Sequence, residues 1–231
     1  MLHSSDQVHE KTAIRTYVRR EGRITTAQKK ALETLWPKYG LNHEPNTETS
    51  RFISISKPLT VEIGFGDGQN LINLAQSNPC NVYIGIDVYR PGVGKLLIEL
   101  EKQGVTNVKI ILGDAIEALP TLFQANSLAA VMVYFPDPWP KKRHKKRRLL
   151  RQEFLGIIAS RLSPGGDLCI STDCESYAED ILSFIEKVEL LDNVYGPCCY
   201  APRSLRFLPT KYEARGLRTG NKIRDIHARR L

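Results

Sequence analysis

The sequence is short of anything that would staple it. Its five cysteines, Cys80, Cys169, Cys174, Cys198 and Cys199, are odd in number and form no C-x-x-C pair. That argues against a disulfide framework or a zinc site and for reduced thiols. The histidines are scattered with no H-x-x-x-H spacing, so no catalytic metal is expected. No apolar run reaches the roughly 18 residues of a membrane span, and the first residues lack the apolar core of a secretory signal. No membrane partner is expected, and a cytoplasmic setting is.

What is present is positive charge. Lys and Arg total 33 against 25 Asp and Glu, a net charge of +8. Such an excess points to a polyanionic partner, although charge alone does not separate a nucleic-acid binder from an ordinary basic protein. At 231 residues the chain suffices for one α/β domain with a small extension. Residues 1–50 are polar and basic without a strong period, and read as a partly flexible extension or as an arm that orders on RNA. Thr25-Thr26-Ala27-Gln28 is able to open a short helix there.

From residue 59 the texture changes. Leu59–Ile63, Val82–Ile86, Val108–Leu112, Leu128–Tyr134 and Leu168–Thr172 are short apolar runs. Helical stretches are predicted between them at Asn70–Gln76, Gly94–Gln103 and Leu149–Leu162, then at Tyr177–Leu190, with a last strand pair near the C-terminus. Apolar runs without polar alternation indicate strands buried on both faces, and strands separated by helices indicate a parallel sheet.

Three carboxylate-bearing turns follow the first three strands. Glu62-Ile63-Gly64-Phe65-Gly66-Asp67-Gly68 is a G-x-G-x-G turn, where glycines permit close backbone approach to a ligand. Gln69 stands where the dinucleotide fingerprint needs its third glycine. Asp87 closes the next strand, positioned for the ribose diol of NAD or of S-adenosylmethionine alike. Asp114 follows the third strand; its spacing to Glu117 is also that of a capping box. Each has a plain structural alternative: a tight βα connection for the glycines, a loop or helix-cap aspartate for Asp87.

The fourth strand leads into Tyr134-Phe135-Pro136-Asp137-Pro138-Trp139-Pro140, a stiff loop with three prolines holding one aspartate. Lys141-Lys142-Arg143-His144-Lys145-Lys146-Arg147-Arg148 comes next, a run suited to phosphates or to a solvated helix start.

Together, E-I-G-F-G-x-G, F-P-D-P-W-P-K-K-R-H-x-K-R-R, S-T-D and T-K-Y-E-x-R-G resemble the bacterial tRNA (guanine-N7)-methyltransferase family over about residues 10–225. The resemblance implies a class I, Rossmann-like methyltransferase fold: a mostly parallel seven-stranded sheet with helices on both faces, filling residues 51–231. It implies S-adenosylmethionine as cofactor, tRNA as partner, and N7 of a variable-loop guanine (tRNA position 46) as target, the protein working as a monomer or homodimer. By the same resemblance Glu62, Gly64, Asp87, Asp114 and Asp137 contact the cofactor, and Asp137 is the catalytic residue. Lys141, Asp173, Thr210, Lys211, Tyr212 and Glu213 contact the substrate, and Arg143, His144, Lys145, Lys146, Arg147 and Arg148 the RNA. Cys174 stands where the family often carries Trp. On the residues alone, Asp173 also suits a helix cap, and Thr210 with Glu213 a capping box. Rival readings are an NAD-dependent oxidoreductase, which the missing glycine at 69 disfavours, and a non-catalytic RNA-binding protein of the same fold.

Overall fold

The structure, a computed structural model, describes residues 16, 17, 22–42, 57–203 and 220–231. Strands β2 (Leu59–Ile63), β3 (Val82–Asp87), β4 (Val108–Leu112), β5 (Leu128–Tyr134) and β6 (Leu162–Thr172) run parallel, as the alternation of strands and helices predicts. The final pair, β7 (Leu191–Asn193) and β8 (Arg224–Arg230), is antiparallel. β8 slots between β6 and β7. An eighth strand, β1 (Gly40–Leu41), adds an edge beside β4, so the sheet order is β1-β4-β3-β2-β5-β6-β8-β7. The expected seven strands are there, and the eighth comes from the N-terminal segment.

Helices cover both faces. α1 (Thr26–Thr34), α3 (Gln69–Ser77) and α4 (Arg90–Lys102) bury Ala31, Leu71, Ile72, Leu96 and Leu97 against Tyr83, Val108 and Ile110. α5 (Ala115–Leu122), α6 (Gln152–Arg161) and α7 (Glu175–Ile185) bury Leu119, Leu155, Ile158, Tyr177 and Ile181 against Val61, Ile84 and Val131 on the other face. Successive strand residues feed opposite layers, which is why both alternations are mostly apolar.

Three local expectations change. First, part of the expected extension is folded: Thr25 caps α1 through a capping box with Gln28, α2 (Trp36–Tyr39) follows, and Gly40 pairs with Ile110. Tyr39 is buried, so this stretch packs with the domain. Second, α4 begins at Arg90, four residues before the expected Gly94, with Pro91 in its first turn. Its glycines are needed for close packing and do not break it. Third, α5 forms despite Pro120, because Asp114 accepts from the Ile116 N–H at 3.0 Å and caps the helix.

The order places the topological switch beside β2, with β3 on one side and β5 on the other. Ligands of open α/β sheets sit there, beyond the carboxyl ends of the strands. Gly92 controls how closely α4 meets the turn after β2: a Cβ on it would lie 2.2 Å from the Gly66 carbonyl oxygen. Nothing stands within 4 Å of a Cβ on Gly156 in α6. Gly92→Ala should therefore cost about 1–3 kcal/mol, since backbone cannot swing aside. Gly156→Ala should be neutral or stabilise by up to about 1 kcal/mol, since both glycines are helical. Paired denaturant melts check this; equal stabilities for the two variants would show that the α4 contact is slack.

Candidate active site

Phe65 turns the chain out of β2, and Gly64, Gly66 and Gly68 take φ of 72°, 62° and 75°, a left-handed conformation that glycine adopts without strain. The Gly64 N–H donates to the Ile86 carbonyl at 2.8 Å. The Gly66 N–H donates to Asp87 Oδ2 and the Tyr89 N–H to Asp87 Oδ1, both at 2.9 Å. One carboxylate thus fixes the turns after β2 and β3. Burial holds the Asp87 carboxyl above its usual range against these bonds, and the charge of Asp137 adds to that rise.

A cavity of about 1190 Å³ opens beyond these strand ends. Gly64, Asp87, Asp114, Asp137 and Asp173 line it together, drawn from five different turns. Asp173 does not cap α7, whose N-cap is Cys174; its carboxylate accepts from Asn221 Nδ2 at 3.1 Å. Glu62 is absent from the wall. It is 3% exposed, between the end of β2 and the first turn of α3, and accepts from Asn70 Nδ2 at 3.0 Å. Desolvation pushes its carboxyl up to about 8. Thr210, Lys211, Tyr212 and Glu213 lie outside the described residues.

The loop after β5 is strained as well as proline-rich. Phe135 and Trp139 take φ of 54° and 41°, costly for residues with side chains. Such geometry persists where neighbours over-determine it. The Phe135 N–H donates to the Ser171 carbonyl at 2.8 Å, and Trp139 Nε1 to the Thr16 carbonyl at 3.1 Å. Arg147 lies over the Trp139 indole, 5.0 Å from its centroid, and His144 meets that ring edge-on.

The basic run divides. Lys141, Lys142 and Arg143 are exposed, followed by a 3-10 helix over Lys142–Arg147 that also exposes Lys146 and Arg147. His144 and Lys145 are half-buried, and Lys145 pairs with Asp180 at 3.2 Å. None of these lines the cavity; they flank it. Arg148 is a correction: at 1% exposure it faces inward and is not presented to an RNA. A run of eight cations carries no period to show which one turns in.

Asn70, Tyr89 and Asn221 were not foreseen. Tyr89 lines the cavity two residues beyond Asp87, a position where the sequence offered only proximity as a signal, and Asn221 offered none.

Residues 56–226 match the family model described as "Putative methyltransferase". The tRNA (guanine-N(7)-)-methyltransferase of Alkalilimnicola ehrlichii is 43% identical, covering 100% of this chain and 98% of its own. The protein of that name from Methylococcus capsulatus is 45% identical, covering 94% of each. Among solved structures, the 16S rRNA methyltransferase KamB matches with a TM-score of 0.60 at 17% identity, over 81% of this chain and 94% of its own. The cyclase SpnF matches at 0.54 and 14%, over 90% and 97%. These two show the fold alone, since a methyltransferase and a cyclase share it.

Glu62 gives a pH test. Its folded pKa of about 8 lies above the ordinary 4.5, so the folded state keeps the proton through that window. Its contribution is therefore full below about pH 4.5 and lost as pH rises toward 8, by a few kcal/mol in order of magnitude. Glu62→Gln should leave the melting temperature near that of the parent at pH 5 and raise it at pH 9. Superimposable melts at pH 9 would mean that Glu62 ionises there without penalty.

Proposed function

Because the chain belongs to the tRNA (guanine-N(7)-)-methyltransferase family, we propose that it methylates N7 of the guanine in the tRNA variable loop, with S-adenosylmethionine as donor. The observation that carries this reading is a cavity walled by four aspartates, Asp87, Asp114, Asp137 and Asp173, with no histidine among its described lining residues. It lies in a chain of net charge +8, with exposed cations at its rim.

The cavity suits an adenosyl donor. Its volume of about 1190 Å³ exceeds that of most small-molecule sites and leaves room for a base beside the cofactor. The Gly64–Gly68 turn admits close approach of the ligand's backbone-like amino-acid end. A carboxylate offers about four acceptor sites. Backbone N–H groups of Gly66, Tyr89 and Val88 engage Asp87, which leaves capacity for a ribose hydroxyl. Asp114, between Gly113 and Ala115 on the wall, is set to receive the adenine amino group. When bound there, S-adenosylmethionine supplies a methyl group activated by its sulfonium.

Guanine N7 is an acceptor with an in-plane lone pair and no proton at neutral pH. No general base is needed to expose it, which agrees with a wall of aspartates in rigid turns. The protein's work is alignment and electrostatics, and orientation alone is worth up to about 7–11 kcal/mol in ideal cases. Asp137 accepts the guanine N1–H and exocyclic amine and holds the ring in register. Methylation at N7 makes the purine cationic, so carboxylates at Asp137 and Asp173 stabilise the charge as it develops. Lys141 and the exposed members of the basic run hold neighbouring phosphates, and Thr210–Glu213 complete the substrate contacts. Some unstacking of the target base is part of this picture. A cytoplasmic setting and a monomeric or homodimeric working unit belong to the same reading. No helix among the described residues is long and apolar enough to cross a membrane.

Radiolabelled methyl transfer to bulk tRNA, followed by nucleoside analysis and mapping, should yield 7-methylguanosine in the variable loop; label in another nucleoside would overturn the proposal. Asp137→Asn should lower kcat by roughly 100-fold or more while tRNA affinity changes little. Unchanged turnover would remove Asp137 from the site. Neutralising Lys142, Arg143, Lys146 and Arg147 together should weaken tRNA binding and flatten its salt dependence by about 0.7–0.9 in log–log slope per lost phosphate contact. An unaltered slope would make that run a solvated face.

A further inference from the structure

Arg148 ends the basic run, yet it is the largest fully buried side chain among the described residues. A guanidinium has five N–H donors in a rigid planar fork. Here nearly all are directed at protein. Nε donates to the Pro138 carbonyl at 2.9 Å. One terminal nitrogen donates to the Ser176 carbonyl at 3.0 Å and to Asp180. The other donates to Ser176 Oγ at 3.0 Å and points at Cys174 Sγ, 4.0 Å away. The plane lies over the Tyr177 ring, 4.6 Å from its centroid.

The partners fall into two groups, and each group borders an acid of the cavity. Pro138 follows Asp137 directly. Cys174 and Ser176 open α7, immediately after Asp173. The Pro138 carbonyl also sets the peptide that leads into Trp139, one of the two left-handed residues of the loop. The bond from Arg148 Nε to that carbonyl helps to orient the peptide.

We infer that Arg148 is a positioning residue for methyl transfer: it fixes the spacing between Asp137 and Asp173 by bonding the loop of one to the helix start of the other. This rests on the proposal that those two acids hold the target guanine. Arg148 touches neither cofactor nor base, since it does not line the cavity. Its substitution by lysine keeps a cation near Asp180 but cannot span Pro138 and Ser176 together, because an ammonium is a single point of donation.

The test compares Arg148→Lys with Asp180→Asn and with Asp137→Asn in the full chain, measuring kcat, KM for tRNA, direct tRNA binding with its salt slope, and melting temperature. Misplacing a site group by about 1 Å can cost 100-fold. Arg148→Lys should therefore lower kcat by roughly 10- to 100-fold at saturating tRNA, with tRNA affinity and salt slope unchanged. Asp180→Asn, which loosens the guanidinium without removing it, should lower kcat in the same direction by less, and it keeps the test open if Arg148→Lys does not fold. Loss of affinity and a flatter salt slope with kcat intact would return Arg148 to the RNA surface and overturn the inference. So would a lower melting temperature with kcat unchanged, which marks a purely structural role. If Asp137→Asn alone abolishes turnover, the reading of the site survives such a failure; if Asp137→Asn is silent, the reading itself falls.

Discussion

The bond from the Gly66 N–H to Asp87 is the constraint on which the site depends. It crosses from the turn after β2 to the end of β3, its neighbour in the sheet. With the second oxygen holding the Tyr89 N–H, the carboxylate aligns two turns that would otherwise be independent loops. α4 starts at once from this point and presses Gly92 on the Gly66 carbonyl. The position of α4 in turn places α1, whose Gln28 lies against Gly94, while the edge strand β1 is held by β4. A side chain that sequence analysis marks for a ligand is thus also a structural tie. The two roles draw on the same four acceptor sites, so the cavity is pre-shaped before anything enters it.

Charge is sorted by depth. The chain carries a net +8, but the cavity and the ground behind it are acidic: Asp87, Asp114, Asp137 and Asp173 on the wall, Glu62 buried behind. Desolvation raises both Glu62 and Asp87; the charges of Asp87 and Asp67 add to the rise at Glu62, and that of Asp137 to the rise at Asp87. This clustering is unfavourable for an empty protein and favourable for one that takes a cationic sulfonium and makes a cationic purine. The exposed cations stand outside on the 3-10 segment, away from the cavity wall. Arg148 is the exception that joins the two zones.

The strands were legible because a sheet buried on both faces leaves little room for polar alternation; Leu128–Tyr134 is the plain case, while Leu59–Ile63 buries Thr60 and Glu62 among its apolar residues. The turn acids were legible because the carboxyl ends of those strands follow at once. The start of α4 was not: Gly92 and Gly94 weigh against helix locally, and only distant contacts explain them, Gly92 against Gly66 and Gly94 against Gln28. α5 was signalled only by the spacing of Asp114 and Glu117, since it carries an internal proline. The packing of residues 25–41 was hidden because α1 offers few apolar anchors and gains its place from β4 and α4. Asn221 was out of reach of local pattern, since it meets Asp173 from 48 residues away. Arg148 shows the general limit: composition says that a segment is basic, and burial of one member is decided by partners elsewhere in the chain.

A nucleophile that needs no deprotonation changes what a protein must provide. Where a base is required, the site must hold a group poised near neutrality, and some mobility helps it exchange protons with water. Guanine N7 presents its lone pair unaided, so the barrier left to the protein is one of geometry and of charge. Rigidity then becomes the useful property. The loop after β5 has it in unusual measure: three prolines, two left-handed residues held by Ser171 and Thr16, and a buried guanidinium on its carbonyl. Each of these carries a cost in strain or desolvation. A fold that only had to connect β5 to α6 would have no reason to bear all of them within six residues. Their concentration beside Asp137 is what alignment chemistry requires.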